Sequence, residues 1–160
     1  MADTVLNTTV FDGAKKLITH YNVVSGDGEG STTKIVDVSG LATNNGKTCK
    51  TVRLNKVSFN VSVTAPADAL RMDWDNSGTN IVFQTLAGEM EYDYSSFGGL
   101  KNTEATNFTG DVNITLPACT DGDSGTVVCE WIKVYESEEV KWLTLPREQQ
   151  RSTKLLLLMK

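Results

Sequence analysis

The chain has 160 residues and carries 15 lysines and arginines against 20 aspartates and glutamates, a size at which one domain buries a core without disulfides or metals. Residues 1–135 hold 10 basic and 16 acidic side chains and residues 136–160 hold 5 and 4, so the body lacks the basic cluster that neutralises phosphates, which argues against nucleic acid as a direct ligand. No apolar run approaches the roughly 18 residues that span a bilayer, and the start Met-Ala-Asp-Thr-Val has no signal-peptide character, so no membrane partner is expected.

Residues 1–10 are expected to form an arm, and from 10 to 135 apolar and polar residues alternate as in strands with one buried face. A strand over Lys16–Val24 contains His20, the lone histidine of the chain, which without a companion reads as structural. Turn chemistry at 26–31 and at 44–46 separates this strand from one over 33–38 and from a long strand that follows. In the long strand Val57, Phe59, Val61 and Val63 share one parity while Val52 and Leu54 lie on the other, which predicts a β-bulge near Asn55 and Lys56.

Leu70, Met72 and Trp74 alternate with Arg71, Asp73 and Asp75, and Asn76-Ser77-Gly78 predicts a hairpin to a return strand over 80–86. Asp73, Asp75 and Ser77 occupy the first, third and fifth positions of a calcium-type loop with Gly78 at the sixth, but Gln84 stands where such loops carry a bidentate glutamate. The expectation is therefore a turn with aspartates in water, and no cofactor. Glu89, Glu91 and Asp93 alternate with Met90, Tyr92 and Tyr94, so three carboxylates project from one strand face about 7 Å apart. A single row cannot face itself across a substrate as glycosidase carboxylates do, and its functional version is a contact for a basic partner.

Val112, Ile114 and Leu116 form another inward stripe, and after the turn at 121–125 the chain resumes as a strand to Tyr135, so these two strands are expected to form a hairpin. Gly122-Asp123-Ser124-Gly125 matches the tetrapeptide around a protease nucleophile, yet His20 is the single candidate base and the segment sits where a turn is needed anyway. Cys49, Cys119 and Cys129 are odd in number and widely spaced, which fits buried thiols better than a disulfide framework or a zinc site.

Eight or nine strands with no helical pattern before residue 136 imply an all-β antiparallel sandwich, with a barrel as the alternative, over 11–135. Residues 136–160 form a C-terminal extension, in which Trp142, Leu143, Leu145, Leu155, Leu156, Leu157 and Leu158 need cover, either on the sandwich or as a docking arm on a neighbour. The motif inventory points to a binding or structural protein, not an enzyme.

Four short segments add a family resemblance: Val10-Phe11-Asp12-Gly13-Ala14-Lys15, Phe97-Gly98-Gly99-Leu100, Thr109-Gly110-Asp111 and Gly122-Asp123-Ser124, in this order over residues 8–135. The pattern resembles small β-rich virion proteins of tailed bacteriophages, particularly capsid decoration, or cement, proteins. The resemblance implies synthesis in the host cytoplasm, then binding to the major capsid protein on the outside of the assembled shell, often as a trimer, with no reaction catalysed. Residues 136–160 depart from that pattern. Two rivals stay open, a carbohydrate-binding module that stacks sugars on Trp74, Tyr92 and Tyr94, and a tail or fibre subunit of the virion.

Overall fold

Alternating apolar and short polar side chains build nine strands within residues 2–103 and 107–135, which are the residues described by this computed structural model. They are β1 (Thr4–Asp12), β2 (Lys16–Val24), β3 (Ser31–Val36), β4 (Cys49–Ser62), β5 (Leu70–Asn76), β6 (Ile81–Leu86), β7 (Gly88–Asp93), β8 (Phe108–Leu116) and β9 (Ser124–Tyr135). One antiparallel sheet has the order β1-β2-β9-β4-β7 and the other β3-β8-β5-β6. Without β1, these are two interleaved four-stranded sheets laid down as nested Greek keys, the strand order of a jelly roll; β1 extends the first sheet by one strand. The expected antiparallel sandwich is thus present, and the barrel alternative is not.

The inner faces bury a single apolar cluster, with Leu17, Tyr21 and Val23 from β2, Val57, Phe59 and Val61 from β4, Leu70, Met72 and Trp74 from β5, and Val112, Ile114 and Leu116 from β8. Trp131 of β9 is fully enclosed and donates its indole N–H to the Thr19 hydroxyl at 3.0 Å, so the large ring is buried with its polar atom satisfied. The bulge predicted near Asn55 is there: the β4–β9 register shifts between Leu54 and Lys56. The displaced Asn55 is buried, donates to Glu130 Oε1 at 2.7 Å, and accepts the Tyr94 N–H at 2.8 Å through its carbonyl. The parity slip in the sequence was therefore the cost of keeping Leu54 and Val57 on the same face.

Two connections differ from the sequence reading. The segment expected as an arm is mostly strand β1, paired antiparallel with β2 from Thr4↔Val24 to Asp12↔Leu17. Its β-branched residues suit a pleated strand, and the backbone bonds to β2 fix it at the sheet edge. The second difference is that β8 and β9 do not form a hairpin. β8 pairs with β3 and β5, whereas β9 sits between β2 and β4 in the other sheet. The turn at Asp121 and Gly122 bridges the two layers, held by the buried Asp123 carboxylate, which accepts from Thr64 N at 2.9 Å, Thr64 Oγ1 at 2.8 Å and Thr120 N at 3.2 Å.

The β6–β7 connection also changes sheets, here with only Ala87 between the strands and Gly88 at φ +77°, a backbone that L side chains resist. At the other end of the sandwich Gly110 (φ +91°) brings β8 against β4 so closely that a Cβ there would lie 2.1 Å from the Lys50 carbonyl oxygen. The same end holds a buried ion pair: Lys133, whose side chain is 0% exposed, meets Asp12 and donates to the Ala42 carbonyl at 3.1 Å. Asp12 in turn accepts the Ala42 N–H at 2.7 Å. Sheet edge, connecting loop and central strand are thereby tied at one point.

Candidate functional site

The outer face of the five-stranded sheet is the broadest regular surface, and strand register orders it in rows. One row runs Leu6, Asn22, Thr126, Asn60, Glu89; the next runs Thr8, His20, Val128, Ser58, Glu91; a third runs Phe11, Ile18, Glu130, Lys56, Asp93. Across about 20 Å, at roughly 4.8 Å between strands, each row runs from an uncharged residue at β1 to a carboxylate at β7, and the third row also carries the charged Glu130 and Lys56.

At the acidic rim, Glu89, Glu91 and Asp93 are all exposed on one side of β7, as their alternation predicted. They are not equivalent. Asp93 accepts the Lys56 ammonium at 2.7 Å and the Ser95 N–H at 2.8 Å, and the Lys56 bond holds its carboxyl well below the usual carboxylate range. Glu89 and Glu91 project into solvent, which leaves them as the rim's available charges. On the opposite side of β7, Met90 is 49% exposed, because β7 is an edge strand and its inner side is only partly covered. Tyr92 and Tyr94 are half-buried there, their ring centroids 6.2 Å apart, and Tyr94 continues to Phe97 at 5.8 Å. Trp74 does not join this line: it is a core residue stacked on Phe83 at 4.2 Å.

The apolar end falls on the segment expected as a contact arm, residues 2–10, and extends it to Phe11. Residues 4–11 of β1 are exposed along their whole length. Leu6, Val10 and Phe11 stand out at 53%, 60% and 49% exposure, with Val24 exposed on the adjacent β2 and Val128 one strand further in, on β9. The available signal was compositional: Thr4, Val5, Thr8, Thr9 and Val10 are β-branched and the stretch carries no charge before Asp12. One-sided alternation could not reveal it, since both faces of this strand are open.

Asp73, Asp75 and Ser77 do not converge on a common point for a cation. Asp73, expected in water at a hairpin tip, is buried on the outer side of the second sheet, where its carboxylate accepts from Thr115 Oγ1 at 2.9 Å. Asp75 lies 3.8 Å from Lys34 Nζ, and Ser77 is exposed beyond the end of β5. Among the described residues no three His, Cys, Asp or Glu side chains gather as a metal site. The strip around them is a bonded network: Lys34 donates to Asp111 at 2.7 Å, Asp111 also accepts the Val38 N–H at 2.8 Å, and Thr115 shares a hydrogen bond with Thr32 at 3.1 Å.

Ser124 and His20 are kept apart by the ladder. Ser124 pairs with Val24 and Val128 with His20, four residues along the strand, or about 13 Å. Cys49 and Cys129 are buried, Cys119 is half-buried, and all three are free thiols. Trp142, Leu143, Leu145, Leu155, Leu156, Leu157 and Leu158, expected as a docking arm, lie outside the described residues.

No family model and no curated protein matches the sequence. Among solved structures the chain is similar to a cupin domain from Bordetella pertussis Tohama I, at 12% identity and a TM-score of 0.35, over 84% of this chain and 98% of that one.

Proposed function

We propose that this protein is a non-catalytic structural component of a tailed-phage virion, which binds the outside of the assembled capsid and cements neighbouring subunits. The observation that carries the reading is the run of exposed apolar side chains along one edge strand, Val5, Leu6, Val10 and Phe11, with Val24 exposed on the strand beside it. Apolar surface concentrated in this way is the mark of a protein-contact face. Its ion pairs, Asp12 with Lys133, Lys34 with Asp111, Lys16 with Glu130 and Lys56 with Asp93, each cross between strands or tie a strand to a loop, a use that favours a scaffold over a reaction centre. The segment resemblance to decoration proteins supplies the virion context. Jelly rolls serve viral capsid proteins and lectins alike, so the fold is an analogy and the surface is the argument.

In this reading Glu89 and Glu91 steer the protein to a basic patch on the shell and set its orientation. Residues 136–160 supply further contacts. Repetition on a rigid lattice turns weak contacts into avid ones, and a ligand that binds only the assembled shell stabilises it by linkage. The test is co-sedimentation of the purified protein with empty phage shells, comparing the full chain with one ending at Tyr135. Saturable binding in proportion to a lattice axis is expected, weakened by the truncation; absence of binding by the full chain refutes the reading.

One observation favours a second reading. The line of Tyr92, Tyr94 and Phe97 at β7, with Phe97 63% exposed, offers rings for sugar stacking in a carbohydrate-binding module. A glycan signal that disappears in Phe97→Ala would favour it over capsid binding.

A further inference from the structure

We infer that the free edge of β1 is the docking site for a second copy of this chain, the two β1 strands pairing antiparallel about a two-fold axis so that their five-stranded sheets become continuous. The inference deepens the reading above, because it rests on β1 being a protein-contact strand, and it names the partner.

An edge strand presents a row of unpaired N–H and C=O groups, which natural sheets guard with charges, prolines, bulges or a covering segment. Among the described residues the two sheets have four edges, and three of them are guarded. β7 carries Glu89, Glu91 and Asp93 within six residues, so a second β7 would set carboxylates against carboxylates. β3 has its Lys34 carbonyl capped by the Asn7 amide at 2.9 Å. β6 is six residues long and broken by a register shift opposite Met72 and Asp73.

Among the described residues, β1 has none of these protections where it matters. Residues 4–11 contain no charge and no proline, and the one bulge, between Thr9 and Phe11, leaves 4–9 regular. The charge at the end of the strand, Asp12, is turned inward and held by Lys133. Every antiparallel register of 4–11 on itself is therefore free of like-charge opposition. A register centred on Leu6 sets Leu6 against its symmetry mate and Thr4 against Thr8 on the outer face, covering the most apolar part of the row. Such a contact uses the same patch on both copies and closes at two.

The rest of the molecule sharpens the expectation. With a net charge of −5 the two copies repel at long range, while the paired surface is uncharged. Screening removes the repulsion and leaves the contact, so association strengthens with salt, the opposite of binding steered by Glu89 and Glu91.

Sedimentation equilibrium of the full chain at low and high salt tests this. A dimer is expected whose dissociation constant falls with salt, and Leu6→Lys or Thr8→Lys raises it about tenfold or more, a change of about 1.4 kcal/mol. Ser58→Lys, on the same face but away from the edge, leaves it unchanged, and circular dichroism of all three variants confirms the fold. A monomer, a trimer, or a dimer indifferent to Leu6→Lys and Thr8→Lys overturns the inference. Shell co-sedimentation separates the two ideas: a monomer that still binds shells removes the β1 pairing and keeps the capsid role, and a β1-dependent dimer that ignores shells does the reverse.

Discussion

Removing one partner of the Asp12–Lys133 pair gives the sharpest test of how the closed end of the sandwich is held. The Lys133 side chain is fully buried, with Asp12 and the Ala42 carbonyl as its partners. Asp12→Ala leaves an ammonium enclosed with one neutral acceptor, and stranding a buried charge in this way costs about 3–5 kcal/mol. Set against the roughly 5–15 kcal/mol that holds a typical domain together, that is a large share of the total. At about 3–5 °C per kcal/mol for a domain of this size, the thermal midpoint drops by roughly 10–25 °C.

The partner variant behaves differently. Asp12→Leu combined with Lys133→Met removes both charges and keeps apolar volume, so most of the loss is recovered, to within about 1–2 kcal/mol of the parent protein. The exposed Ala42 N–H then turns to water. Urea denaturation followed by far-UV circular dichroism, read as a change in midpoint at constant slope, measures each step. If Asp12→Ala costs less than about 1 kcal/mol, or if the double variant is as unstable as the single one, the argument from an uncompensated buried charge is wrong.

Gly110→Ala, which adds a Cβ 2.1 Å from the Lys50 carbonyl at a φ of +91°, is expected to cost about 3 kcal/mol in the same assay; a neutral result would mean that β8 can back away from β4. Glu130 accepts from Lys16 and from Asn55, and chiefly through the Lys16 bond its folded pKa lies below the ordinary 4.5. Its contribution is therefore present above that pH and is lost as pH falls through the lowered value, so Glu130→Gln should flatten the acid limb of a melting-temperature profile, and an unchanged limb would remove Glu130 from the account. Burial pushes the Cys49 and Cys129 thiols up, whereas Cys119 is half-buried. Alkylation of the native protein should mark Cys119 first, with the other two reacting only on unfolding; mass spectrometry showing Cys129 modified as fast as Cys119 would contradict this.

What was legible in the sequence was local. Lys16–Val24 is a strand with the bounds its alternation predicts, the parity slip at Asn55 is a bulge, and Asn76-Ser77-Gly78 joins β5 to β6. Alternation says which residues face a core, but both layers of a sandwich share one core and write the same pattern. It could not say that β9 crosses to the other sheet after β8, and a turn at Asp121 and Gly122 looks alike in either case. β1 was missed for the complementary reason, as a strand open on both faces has no reason to alternate. Lys133 shares parity with Val127, Cys129 and Trp131, so its inward position was readable, while its partner Asp12, over a hundred residues earlier, was not. Asp73 shows that an outer face is not always wet: Thr115 on the neighbouring strand bonds the carboxylate within the strip.

The place of β9 between β2 and β4 bears on how the molecule comes into being. The ladder Lys16↔Ile132 joins residues from opposite ends of the described chain, and the last of these strands to leave the ribosome is the central one of its sheet. Until it emerges, β2 and β4 have no neighbour in common and Trp131 is not there to fill the core. The domain is thus bound to fold after, rather than during, synthesis of residues 2–123, and slowly, since its decisive contacts are its most distant ones. Through that interval β2 and β4 each lack the neighbour that β9 later supplies, and the unfinished sheet stands exposed to other copies of the chain.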